Sequence, residues 1–124
     1  MTRVVLKPFD KDKFELIENY SYECGFGVVD IPTGYKTNGA NIPRVFWSIY
    51  PPNSPEYLSA VVVHDFLCDK AYKNDKNYDD FILADNIFFI ALKELGVDRF
   101  KSALFYLSCK SYHFMKYKFL RRNK

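Results

Sequence analysis

The chain is poor in the residues that staple small secreted or metal-bound domains together. Its cysteines, Cys24, Cys68 and Cys109, are three in number and widely spaced, which argues against a disulfide framework and a zinc ribbon and leaves reduced, partly buried thiols. Histidine is scarce as well: His64 and His113 are the only two, so imidazole chemistry has at most two sources. No apolar run approaches the roughly 18 residues needed to cross a bilayer. The opening Met1-Thr-Arg-Val-Val-Leu-Lys-Pro lacks the long apolar middle of a signal peptide. A cytoplasmic protein is therefore expected, with virion association through a partner left open. Acidic residues are missing from one region altogether. Residues 99–124 hold eight basic and no acidic groups, against ten basic and fifteen acidic in residues 1–98.

What is present is material for burial. Hydrophobic residues make up 48% of the 124 positions and aromatics 19%, with twelve Phe and ten Tyr, enough for one core and one domain spanning residues 1–124. The expected fold class is α+β, a small N-terminal antiparallel sheet and a long loop packed against about three C-terminal helices. Short strands are predicted around Val4-Val5-Leu6, Phe14 to Ile17, Tyr20 to Val29 and Val28 to Ile31, because Pro8, Gly25, Gly27, Pro32 and Gly34 interrupt any helical pattern. Residues 31–52 read as loop, with a short helical turn from Arg44 to Tyr50.

Ser54 and Pro55 suit an N-cap and first helical position, predicting a helix from Pro55 to Lys70 followed by a loop over Ala71 to Asn77. Asn77 and Asp80 resemble a capping box for a second helix, Tyr78 to Leu95, stopped by Gly96. Its core stripe is Phe81, Ala84, Phe88, Ala91, Leu92 and Leu95. Asp98 caps a third helix, where Phe100, Ala103, Leu104, Leu107 and Phe114 recur at helical spacing and predict the buried face. That helix ends in a basic segment at about 110–124. Cations in a last helical turn favour the helix dipole, and Lys116, Lys118, Arg121 and Arg122 also suit nucleic acid or an anionic surface.

Three features carry chemistry. His64-Asp65 lies inside the apolar stretch VVVHDFL, where Tyr57, Val61, His64 and Cys68 share one side of a helix and Leu58, Val62, Asp65 and Asp69 the next. An unpaired buried carboxylate costs several kcal/mol, so partners are required. Asp85 lies beside Phe81, Phe88 and Leu92 on the second helix and also points to the core. The two helices are expected to cross where His64 or Asp65 meets Asp85. The third feature is the loop Thr37-Asn38-Gly39-Ala40-Asn41-Ile42-Pro43, whose side chains and amides suit a substrate oxygen or a helix cap.

Several of these segments together resemble a known family. Ile31 to Arg44, Trp47-Ser-Ile-Tyr-Pro-Pro, Val63-His-Asp-Phe-Leu, Ala84-Asp-Asn-Ile-Phe and Leu95-Gly-Val are similar to a small phage and prophage family, domain of unknown function 1353, over roughly residues 25–115. The resemblance implies a phage or prophage gene product. His64, Asp65 and Asp85 match the family's motif residues. The family's loop has the form Thr-Asp-Gly/Phe-Ala-Ser-Ile/Val-Pro, and here Asn38 stands at the Asp position and Asn41 at the Ser position, which weakens base or metal chemistry through that loop.

Two functions compete. The first is an accessory or assembly protein binding a phage or host protein, with Tyr72, Tyr78, Tyr106, Tyr112 and Tyr117 as contact residues. The second is a small hydrolase with His64 as general base, Asp85 or Asp65 in support, and Thr37, Asn38 and Asn41 holding substrate. No metal or other cofactor is expected, a weak divalent ion being left open, because His64 and Cys68 at i, i+4 make half a site that would have to recruit His113. Cys68 is expected to pack rather than to act as a nucleophile.

Overall fold

In the computed structural model of the chain, the described residues are 3–10, 13–25, 27–37 and 57–119. The N-terminal third alternates short β-prone runs with turns and forms five strands: β1 (Leu6–Asp10), β2 (Lys13–Leu16), β3 (Tyr20–Cys24), β4 (Gly27–Ile31) and β5 (Lys36–Thr37). They make two antiparallel sheets rather than the single one expected, a three-stranded sheet in the order β1-β2-β5 and a separate β3-β4 hairpin. The hairpin register sets Tyr20 opposite Ile31 and Tyr22 opposite Val29. Those four side chains are buried on one face while the alternate residues are exposed or half-buried, the period-2 pattern of a sheet with one wet side. Gly34 holds a positive φ of 91° in the turn that brings Lys36–Thr37 back to pair with Phe14 and Glu15. This two-residue strand, too short to stand out in the sequence, delivers Thr37 to the helices.

The three helices are α1 (Leu58–Lys73), α2 (Tyr78–Glu94) and α3 (Arg99–His113). Helix α1 begins three residues later than Pro55 and ends three later than Lys70. It continues through Ala71, which is buried, so the first three residues of the expected loop are helical and 74–77 link α1 to α2. Ser54, Pro55, Asn38, Asn41 and the expected turn from Arg44 to Tyr50 lie outside the described residues. At α2, Asn77 Oδ1 accepts the Asp79 amide at 2.9 Å. Asp80 takes Asn74 Nδ2 at 2.7 Å, so the cap forms through Asn77 while the Asp80 carboxylate serves the preceding turn. At α3, Asp98 Oδ1 accepts the Phe100 amide at 3.1 Å. A π-helical segment, Phe114–Phe119, continues α3 and carries Tyr117 back onto Phe81 with ring centroids 4.1 Å apart.

One core, built from Leu16, Tyr20, Tyr22, Val29 and Ile31 of the strands with Val61, Val62, Phe88, Leu92, Phe105 and Cys109 of the helices, joins sheets to helices. Polar ties fix the orientation: Ser59 Oγ accepts the Val4 amide at 3.1 Å, Tyr22 donates to Glu94 at 3.0 Å and Tyr35 to Asp69 at 2.6 Å. The stripe on α2 is as predicted, with Leu95 half-buried at its end. The face of α3 is not. Phe100, Leu107 and Phe114 are exposed, whereas Ser102, Phe105, Ser108, Cys109 and His113 are buried. The helix is turned so that His113 meets Asp85 and Phe81 of α2.

Helix α2 ends in a Schellman arrangement. The Gly96 amide donates to Lys93 O and the Val97 amide to Leu92 O, each at 3.0 Å, with Gly96 at φ 82°. Buried Val97 packs into the same core cluster as Leu92, the hydrophobic contact that accompanies this motif. A Cβ built on Gly96 would meet nothing within 4 Å, so the penalty of a side chain there is purely conformational. Gly96→Ala is expected to lower stability by about 1 kcal/mol, a drop of about 4 °C in Tm by thermal melt.

Candidate active site

Three helices each send one polar side chain into the same apolar interior. His64 stands on α1 among Val61, Val62 and Val63. Asp85 stands on α2 between Phe81 and Phe88. His113 ends α3. Each is at most 1% exposed. Asp85 Oδ1 lies 2.8 Å from His64 Nε2, and Oδ2 lies 2.7 Å from His113 Nδ1. Burial pushes the Asp85 carboxyl up, but hydrogen bonds from His113 and His64, together with their charge, prevail and hold it below its ordinary value.

With both imidazoles neutral, the ionised carboxylate fixes their tautomers. It has no proton to give, so each nitrogen that meets it carries hydrogen: Nε2–H on His64 and Nδ1–H on His113. His113 Nε2 is then an acceptor, faced by Cys68 Sγ at 3.9 Å, while the same sulfur is 3.4 Å from His64 Nε2. The remaining nitrogen, His64 Nδ1, is buried and has no hydrogen-bond partner among the described residues. An unsatisfied buried acceptor costs about 1–3 kcal/mol. Stacking on Phe88, with centroids 4.5 Å apart and planes at 23°, holds the His64 ring in this orientation. Phe81 and Tyr117 flank His113 at 4.7 and 5.9 Å.

Asp65 takes no part in this bridge. It accepts a hydrogen bond from Thr37 of β5, so one of the loop residues singled out in the sequence is tied to the carboxylate beside His64 but not to His64 itself. Asp69, one turn on, accepts from Tyr35. Burial, Asp65 and the bond to Asp69 push the Tyr35 phenol up, keeping it a neutral donor. Burial, then the nearby Asp85 and Asp65 charges, push the Cys68 thiol well up, so it is protonated at neutral pH and not an activated nucleophile.

His64, Cys68, Asp85 and His113 also offer ligand atoms that all lie within 4.8 Å of one another, a set that could hold a metal ion. Donors sharing a tetrahedral zinc ion are about 3.3–3.7 Å apart at ordinary bond lengths. The 2.7 and 2.8 Å contacts of Asp85 are hydrogen-bond distances, so metal would have to replace two protons and spread the donors. Sequence reasoning named His113 only as a missing partner. The spacing of Ser102, Phe105, Cys109 and His113, at intervals of three, four and four, was the available signal.

The fold and centre define a small α+β domain with a buried His–Asp–His bridge joining three helices. The chain belongs to the family described as "Protein of unknown function (DUF1353)", whose model matches residues 14–109. It is similar to "Uncharacterized protein y4jT" of Sinorhizobium fredii (strain NBRC 101917 / NGR234), 32% identical over 101 residues that cover 80% of this chain and 28% of the relative. The chain thus spans little more than a quarter of that protein. No solved structure matches.

Breaking the bridge by Asp85→Asn is expected to lower stability by about 3–5 kcal/mol, read from urea midpoints at pH 7. Because the folded carboxyl titrates below its unfolded value, its contribution is present above the ordinary Asp range near pH 4 and is lost as pH falls through the folded value. The gap between the wild type and Asp85→Asn should therefore narrow in acid.

Proposed function

We propose that the domain is a small hydrolase in which His64 is the general base and Asp85 orients it. One observation carries this reading: Asp85 occupies His64 Nε2–H, and Nδ1 has no hydrogen-bond partner among the described residues. A base with one nitrogen fixed by a carboxylate and the other bare can take a proton from water. Asp85 would stabilise the imidazolium so formed, with His113 as its second donor, and the proton on Nδ1 would pass to the leaving group. Cys68 meets the opposite nitrogen and holds its proton, so water rather than a thiolate is the nucleophile. Thr37 and Asp65 are assigned to positioning beside the base, Asn38 and Asn41 to substrate oxygen. His64 is closed to solvent, and turnover therefore requires the chain to open over Nδ1.

An accessory or assembly role for a phage-derived protein has less support. Of the tyrosines on which it rests, Tyr117 is buried against Phe81 and Tyr106 donates to Asn86 at 2.9 Å, so they serve the fold. The test is hydrolysis of chromogenic carboxylic esters, phosphomonoesters and phosphodiesters. Activity on one class is expected, falling about 100-fold to 10,000-fold in His64→Gln and largely kept in Cys68→Ser. Inactivity on all three, or activity that survives His64→Gln, ends the reading.

A second reading is favoured by the four-donor set itself: a zinc-like ion held by His64, Cys68, Asp85 and His113, whose sulfur and imidazole ligands suit that metal. Equilibrium dialysis against zinc would then give one ion per chain, lost in Cys68→Ala. No stoichiometric uptake by the wild type removes this reading and leaves the hydrogen-bonded centre.

A further inference from the structure

Helix α3 turns the residues expected in the core outward. Phe100, Leu107 and Phe114 are 68%, 56% and 43% exposed. Sevenfold spacing drifts only about 20° per step on a helix, so the three form one line about 21 Å long. Ala103 and Leu104 lie half-buried along it. Arg99 and Lys110, both exposed, border one side of this apolar line. Lys110 lies over the Tyr106 ring at 5.6 Å. Acidic side chains are absent from all of residues 99–124, which carry eight basic groups.

We infer that this outer face of α3 docks on an anionic lipid bilayer surface. The two parts of the face call for different environments, and a charged membrane supplies both. Phe100, Leu107 and Phe114 would enter the boundary of the acyl chains, while Arg99 and Lys110 reach the headgroup phosphates along their apolar stems. Other occupants satisfy only half of it. Nucleic acid would neutralise the basic side chains but leave the apolar line against phosphate and water. A second copy would cover the apolar line but set two basic stripes against each other. No helix among the described residues is long and apolar enough to cross a membrane, so the contact is one of lying on the surface. The inference stands independently of the hydrolase reading, since none of its residues belongs to the His64 centre.

Flotation of the full chain with vesicles tests it, using phosphatidylcholine alone and phosphatidylcholine mixed with phosphatidylserine. The expected result is binding to the mixed vesicles, weak or absent binding to the neutral ones, and a loss of about tenfold or more in Phe100→Ser/Leu107→Ser. Arg99→Glu/Lys110→Glu should remove the preference for anionic lipid. These positions are at the surface, and an unchanged circular dichroism spectrum confirms that the variants fold. A wild-type chain that stays in solution with both vesicle types overturns the inference, as does vesicle binding indifferent to the Phe100 and Leu107 changes. A dimer in sedimentation that Phe100→Ser/Leu107→Ser converts to monomer assigns the face to a second copy and overturns it. Salt-sensitive binding to duplex DNA with no binding to vesicles assigns it to nucleic acid, with the same consequence.

Discussion

A single carboxylate, that of Asp85, holds the helical layer in register. Moving a charge of this kind from water to an apolar interior costs several kcal/mol even after relaxation, and here Phe81, Phe88 and Leu92 surround it on its own helix. The cost is offset only if both oxygens find strong donors, and the donors come from two other helices, His64 of α1 at 2.8 Å and His113 of α3 at 2.7 Å. Apolar packing alone would tolerate some sliding of α1, α2 and α3 along one another. The bridge does not, because a displacement of an ångström or two in either neighbour leaves a buried charge short of a hydrogen bond.

The strands enter the same scheme through α1. Thr37 donates to Asp65 and Tyr35 to Asp69, so the side of α1 next to His64 is occupied by carboxylates whose partners arrive from the end of the β-region. Ser59 at the start of the helix accepts the Val4 amide. His64 is thus fixed from three directions: Asp85 at Nε2, the Phe88 face beneath the ring, and a helix whose neighbouring side chains are themselves tied to the sheets. Its Nδ1 has no hydrogen-bond partner among the described residues and adds nothing to this anchoring.

How much of this was readable from the residues depended on how unusual their surroundings were. Asp85 and His64 stood out because each interrupts an apolar run, and a charge among Phe and Val residues has few places to go but a buried partner. Asn77, Gly96 and Asp98 marked helix ends because their local chemistry needs no tertiary information. The split of the strands into two sheets was not legible, since it depends on the two-residue strand Lys36–Thr37 pairing with Phe14 and Glu15, far away along the chain. His113 was hidden for a different reason. It sits in the mixed run Tyr112-His-Phe-Met-Lys-Tyr, where both a polar and an apolar face can be drawn, and the more hydrophobic of the two lines was the wrong one to bury.

The orientation of α3 shows why hydrophobic periodicity lost at that helix. Rotating it to bury Phe100, Leu107 and Phe114 would gain about 2 kcal/mol for each side chain fully covered. The same rotation would withdraw Phe105 and Cys109 from the core and move the buried Ser102 and Ser108 to the outside. It would also carry His113 away from Asp85, and breaking a buried pair of this kind costs about 3–5 kcal/mol. The apolar gain is thus cancelled by the lost burial of Phe105 and Cys109 together with the stranded carboxylate. The buried charge on α2 decides which face of α3 turns inward, and the apolar line at its surface follows from that choice.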